Sequence, residues 1–203
     1  MKTNYNDLQT LTKRCLAEII MPISSLDVRK SQSIIENFFN FVASELKQGR
    51  HLAIKGAGTM RLSVKGERPV RNPKNLEDFT LAKRAAVKLG VSHNSKLDLI
   101  KSTQIGCEEL RTAIRENTHM TAMQSLLIHK KILEVIKEVA ENRTRIEIRC
   151  FGTFFPVTKK AGIVRNPKTG DRVNMPERSF VKFKISKALR EDIESGELFQ
   201  SVI

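Results

Sequence analysis

The chain has 203 residues, 40% hydrophobic and 29% charged, which is enough apolar material for ordinary globular cores in one or two domains. Its 36 Lys+Arg against 22 Asp+Glu leave a net charge of +14 and a pI near 10.0, which points to a polyanion, either nucleic acid or an anionic membrane surface. No run approaches the roughly 18 apolar residues of a membrane span, and the opening MKTNYNDLQTLTKRC lacks the apolar core of a signal peptide, so a cytoplasmic protein with no membrane partner is expected.

LTKRCLAEII places Leu11, Cys15, Leu16, Ile19 and Ile20 on one stripe of a short helix, which Met21-Pro22 is expected to end. A second helix follows, with Ser25 or Asp27 as N-cap, Ile34, Ile35, Phe38, Phe39, Val42 and Leu46 at helical spacing, and Gly49 as its stop. Phe38, Phe39 and Phe41 are read as core rather than as a base-stacking platform, because stacking aromatics usually sit on strands or loops. After Gly49 the period becomes two: Leu52 and Ile54, then Met60, Leu62 and Val64, flank Gly56-Ala57-Gly58 as a β-hairpin. The Gly-x-Gly is a turn rather than a phosphate-binding loop, since neither a helix nor a further glycine of that fingerprint follows. KGERPVRNPKNLED is basic and poor in apolar residues, and Pro69 and Pro73 confine it to a projecting ribbon that returns through FTLA. SHNSKLDLIKS, Ser92 to Ser102, is a predicted closing helix, and residues 100–106 form a short, constrained linker.

The pentapeptide VRNPK stands at Val70 to Lys74 and again at Val164 to Lys168, and its offset of 94 positions relates much else. Gly58-Thr59 falls on Gly152-Thr153, VKLGVS at 87–92 falls on VKFKIS at 181–186, and Leu16 and Ile20 fall on Leu110 and Ile114. Such fixed self-similarity is a tandem duplication, and a period this long makes each copy a small domain rather than a solenoid repeat. The second copy matches element by element: helices EELRTAIREN and TAMQSLLIHKKILEVIKEVAEN, strand RIEIR, turn CFGTF, ribbon KKAGIVRNPKTGDRVNMP, and a closing helix SKALREDIES. Residues 1–100 carry 17 basic and 9 acidic side chains and residues 101–203 carry 19 and 13, so the copies are +8 and +6 and both are basic. Domains this small bury a low fraction of their surface, so the copies are expected to share a core and the isolated halves to be unstable.

Cys15, Cys107 and Cys150 form no metal-ligand spacing and are expected to be buried, reduced thiols. The four histidines are scattered beside no nucleophile or carboxylate pair, and no phosphate loop or metal set appears, so neither an enzyme nor a cofactor is expected.

With FGTF at Phe151 to Phe154, RNPKTG at Arg165 to Gly170 and FVKFKISKAL at Phe180 to Leu189, the second copy resembles the bacterial HU and integration host factor family of small, basic, DNA-bending dimers. The first copy is a looser match, through GAGTM at Gly56 to Met60 and RNPKN at Arg71 to Asn75. The resemblance covers about residues 10–100 and 105–195. It implies an α+β fold of two HU/IHF-like domains, residues 1–102 and 103–203. Each would have a helical base and a three-stranded sheet with a β-ribbon arm, and the two would form an intramolecular pseudo-dimer, monomeric as a chain, with further association left open.

It further implies double-stranded DNA as partner, with two arms in the minor groove, each inserting an apolar tip between base pairs. Those tips are Pro73 and Pro167, whose rigid ring has no N–H to leave unmet within a base step. Arg71 and Arg165, with Asn72 and Asn166, stand at the tips within reach of groove edges and phosphates. Lys65, Arg68, Lys74, Lys159, Lys160, Lys168, Arg172 and Lys184 are the candidate phosphate contacts; any one alone reads equally as a solvated cation, and their clustering favours function.

The copies depart from one another. Leu76 replaces Gly170, Glu77-Asp78 follows the first tip, Ala57 and Met60 stand where the family often has phenylalanine, and Leu89-Gly90 replaces Phe183-Lys184. The arms are therefore expected to be unequal, with the first weaker. These differences also keep open a second reading, a scaffold or protein-interaction module with weakened DNA binding.

Overall fold

The structure, a computed structural model, describes residues 9–74, 77–90, 103–116, 118, 120–166 and 168–201. Pro167 and the predicted helix from Ser92 to Ser102 lie outside the described residues.

Strand β1 (Thr10–Thr12) leads into helices α1 (Lys13–Ser24) and α2 (Val28–Lys47), which pack as a hairpin. Of the two candidate caps, Asp27 is the N-cap of α2, its Oδ1 accepting from the Lys30 N–H at 2.9 Å, while Ser25 closes α1 in the left-handed region at φ 55°. Two expectations are corrected here. Leu11 belongs to a strand rather than to the first helix, and α1 continues through Pro22 to Ser24 instead of ending at Met21-Pro22. A proline inside a helix removes one backbone bond. Here the last turn is held from outside: Ile20 and Ser24 are buried, and the Ser24 and Ser31 hydroxyls share a 3.1 Å hydrogen bond between the two helices.

The first sheet runs in the order β2 (Leu52–Ile54), β3 (Gly58–Lys65), β6 (Arg84–Gly90), all antiparallel. Between β3 and β6 projects a two-stranded ribbon of β4 (Arg68–Arg71) and β5 (Asp78–Leu81). The second copy repeats the plan with α3 (Cys107–Arg115), α4 (Ala122–Glu138), β7 (Arg145–Ile148), β8 (Gly152–Lys159), a ribbon of β9 (Gly162–Arg165) and β10 (Arg172–Met175), β11 (Arg178–Ile185) and α5 (Lys187–Glu194). A short α6 (Glu197–Ser201), which the periodicity did not predict, follows.

The second sheet has four strands where three were expected, in the order β1-β7-β8-β11, because β1 of the first copy pairs in parallel with β7 of the second. The exchange is reciprocal. Gln104, at the start of the second copy, bridges in parallel to His51 of the first, whose N–H donates to the Thr103 carbonyl and whose carbonyl accepts from Ile105 N–H, each at 2.9 Å. These bonds give residues 103–105 the constrained path expected of the linker.

One hydrophobic core runs through both copies. Phe38 is fully buried and meets Phe39 edge to face at 5.2 Å. Phe39 then packs against Phe151 of the second copy with ring centroids 4.9 Å apart, and Phe151, Phe154 and Phe183 continue the cluster. Phe38 and Phe39 are thus core, as their helical spacing indicated, and the half-buried Phe41 packs against it. β6 and β11 lie against each other across the boundary, and Glu194 at the end of α5 accepts from the Ala85 N–H of β6 at 2.8 Å.

The cysteines are a correction: Cys107 and Cys150 are exposed and Cys15 is half-buried. Cys107 opens α3 on its solvent side, and Cys150 sits in the β7–β8 turn at φ 64°, so neither side chain can reach the core.

Candidate nucleic-acid interface

Both ribbons stand clear of the core and carry the predicted cations. In the first arm, Lys65 ends β3, Arg68 and Arg71 bound β4, and all three are exposed. In the second, Lys159 ends β8, the exposed Lys160 follows it, Arg165 ends β9 and Arg172 opens β10. Lys184 lies apart from the arms, exposed on β11 opposite Thr153.

The two tips share one backbone design. Asn72 N–H donates to the Glu77 carbonyl at 2.9 Å and Asn166 N–H to the Asp171 carbonyl at 2.8 Å. Asn72 Oδ1 accepts from Lys74 N–H, and Asn166 Oδ1 from Lys168 N–H, both at 3.0 Å. This is the local turn that asparagine side chains favour, and it explains why each proline is preceded by asparagine. The candidate pair Asn72 and Asn166 therefore shapes the tips from within. Pro73, Lys74 and Lys168 are exposed on the turn.

Side chains distinguish the tips. Arg71 lies directly across the ribbon from Asp78, with Nε 3.8 Å from the carboxylate. In the second arm the same register sets Arg165 against Arg172, and Arg165 Nε donates instead to the Gly170 carbonyl at 2.9 Å. Gly170 is at φ +80°, a left-handed conformation that favours glycine, which brings its carbonyl within reach of the folded-back guanidinium.

The structure also assembles cations that sequence reasoning passed over. On the outward face of the first sheet, Lys65 is directly opposite Arg84 and Arg61 is opposite Lys88; on the second, Lys159 is opposite Arg178. Directly opposed like charges destabilise a sheet, and such pairs are relieved by a bound anion. Partial desolvation and then the neighbouring Arg84, Lys88 and Arg68 charges lower the Lys65 ammonium from the ordinary lysine value. Phe180, on β11, has the Lys159 and Lys182 ammonium groups each 5.6 Å from its ring centroid, within cation–π range. A signal for these residues was present in the sequence, since Arg84 and Lys88 recur 94 positions on as Arg178 and Lys182.

Among the described residues, no group of three or more His, Cys, Asp or Glu could hold a metal, and no helix is long and apolar enough to cross a membrane. His129 is buried within the helical base, with no hydrogen-bond partner on either ring nitrogen.

Comparison with known proteins places the chain by sequence. The model of the family described as "Bacterial DNA-binding protein" matches twice, over residues 11–99 and 107–194. The chain is 29% identical over 123 residues to an integration host factor subunit alpha of Polaromonas naphthalenivorans, an alignment covering 60% of this chain and 100% of that one. It is 41% identical over 81 residues to an integration host factor subunit beta of Vibrio atlanticus, covering 40% and 86%. Among solved structures, an Anabaena HU–DNA cocrystal structure is 27% identical with a TM-score of 0.38, covering 45% of this chain and 99% of that chain.

Proposed function

Since the chain belongs to the bacterial DNA-binding protein family and carries that family's domain twice, we propose that it is a non-enzymatic architectural protein that grips double-stranded DNA between its two arms and bends it. The observation that carries this reading is the pair of exposed basic ribbons with one tip turn in common, joined through a shared core. Residues 1–102 and 103–203 then act as the two halves of a dimer built into a single chain.

Pro73 and Pro167 serve as wedges. Unstacking a base step costs about a few kcal/mol, which phosphate contacts along the bent flanks offset. Arg71, Asn72, Lys74, Arg165, Asn166, Lys168 and Arg172 act at the tips, and Lys65, Arg68, Lys159, Lys160 and Lys184 hold phosphates nearer the body. Arg84, Lys88 and Arg178, each opposite another cation, and Lys182 beside Phe180 extend the second set.

The test is a fluorescence-transfer assay on an end-labelled duplex of about 35 base pairs, long enough to pass the arms on both sides, titrated at two salt concentrations. Binding should bring the ends together and weaken steeply with salt, and Pro73→Ala with Pro167→Ala should reduce end approach more than affinity. Binding without end approach would sink the bending mechanism. Failure to retain duplex at moderate salt would instead favour the scaffold reading.

A further inference from the structure

The arms share their ribbon register and tip hydrogen bonds and differ in charge. Over residues 65–82 the first arm carries four cations and three carboxylates, net +1; over the equivalent residues 159–176 the second carries five and one, net +4. Both tips close on the same backbone bonds, so the difference resides in side chains. Its sharpest point is one cross-strand position, where Asp78 faces Arg71 and Arg172 faces Arg165.

We propose that Asp78 sets the polarity of the complex: by cancelling Arg71 it makes the first arm a weak arm, so that the chain holds an anionic duplex chiefly through its second arm. This rests on the DNA-binding function proposed above and adds to it a residue that determines which half grips.

The electrostatics favour this outcome whether or not the exposed Arg71–Asp78 pair stays closed. Two exposed partners form a weak bond, but a carboxylate at the tip repels phosphate in either rotamer. Arg71 therefore releases less than one counterion on binding. In the second arm, Arg165 and Arg172 repel one another until a phosphate lies between them, and Arg165 spends a single Nε–H on a neutral carbonyl. Each full phosphate contact contributes about 0.9 to the slope of log affinity against log salt. A fourfold rise in salt then costs roughly 3.5-fold in affinity per contact on the same relation.

The experiment uses the full chain and the same duplex of about 35 base pairs, with affinities measured between about 50 and 200 mM salt, the range over which such slopes are read. Arg165→Ala should flatten the salt slope by about 0.9, and Arg71→Ala by clearly less. Asp78→Asn should steepen the slope and raise affinity about threefold at the lower salt, and in that background Arg71→Ala should cost as much as Arg165→Ala. Asp78→Asn is nearly isosteric on an exposed strand, and Asp78→Arg, which copies the second arm, gives a second and larger charge change. The proposal is overturned if the wild-type chain binds yet Asp78→Asn and Asp78→Arg leave slope and affinity unchanged, or if Arg71→Ala costs as much as Arg165→Ala in the wild-type background. Absence of duplex binding by the wild-type chain would overturn the underlying function as well, and is told apart by needing no variant.

Discussion

Replacing His129 by isoleucine should stabilise the protein and remove part of its acid sensitivity. His129 lies on α4, 5% exposed, with neither ring nitrogen hydrogen-bonded and the Phe38 ring 6.5 Å away. The equivalent position on α2, 94 residues earlier, is Ile35, fully buried. A branched hydrocarbon thus already fits the mirrored place in the same core. Leaving a buried polar atom unsatisfied costs about 1–3 kcal/mol, so His129→Ile should gain about that amount less any repacking strain. For a chain of this size that corresponds to a rise in Tm of roughly 2–4 °C per kcal/mol.

The pH dependence has a definite sign. Burial first, then the positive charges of Arg111 and Lys130, hold the imidazole below the ordinary histidine range. A depressed folded-state value means that the unfolded chain takes up the proton first, so this contribution is complete above about pH 6.5 and is lost as the pH falls below it. Urea unfolding of wild type and His129→Ile at pH 8 and pH 5.5 measures both effects, with His129→Leu as a check against misfit of the β-branch. An equal loss between the two pH values in wild type and variants, with no gain at pH 8, would refute the reasoning.

Gly152→Ala should cost about 2–4 kcal/mol, because a Cβ at φ +153° would stand 2.4 Å from the Lys184 carbonyl oxygen and 2.5 Å from Phe183 Cζ. Gly162→Ala, with nothing within 4 Å of the added carbon, is the matching control, and similar urea midpoints for the two would contradict the packing. Phe39→Ala should cost about 3–5 kcal/mol and lower a single unfolding transition for the whole chain, since Phe39 joins the copies through Phe151; two separate calorimetric transitions would argue against a shared core. Native protein should show two fast-reacting thiols, Cys107 and Cys150. The half-buried Cys15, whose thiol is lowered chiefly by its hydrogen bond with Thr12, should titrate higher in Thr12→Val, as read from the pH profile of its alkylation rate.

What the sequence determined by itself is whatever depends on near neighbours or on repetition. The two copies, the order of their main helices and strands, and the arms with their asparagine-proline tips follow from periodicity, turn chemistry and one fixed offset, while the choice of Asp27 over Ser25 as cap was left to the structure. Tertiary structure decided what depends on which residue lies opposite which. Thr10–Thr12 is too short to declare itself a strand and becomes one only by pairing with β7 of the other copy. Pro22 stays within α1 because α2 holds the last turn from outside. The recurrence of Arg84 and Lys88 in the second copy is visible in the sequence, but that they face Lys65 and Arg61 is decided by the β3–β6 register. The same holds for Arg71 and Arg165, which are identical in sequence context, VRNPK, and differ in the residue across the ribbon. The two ribbons share one register, fixed by their like tip turns, and what separates the arms is the side chain that this register sets across from each arginine.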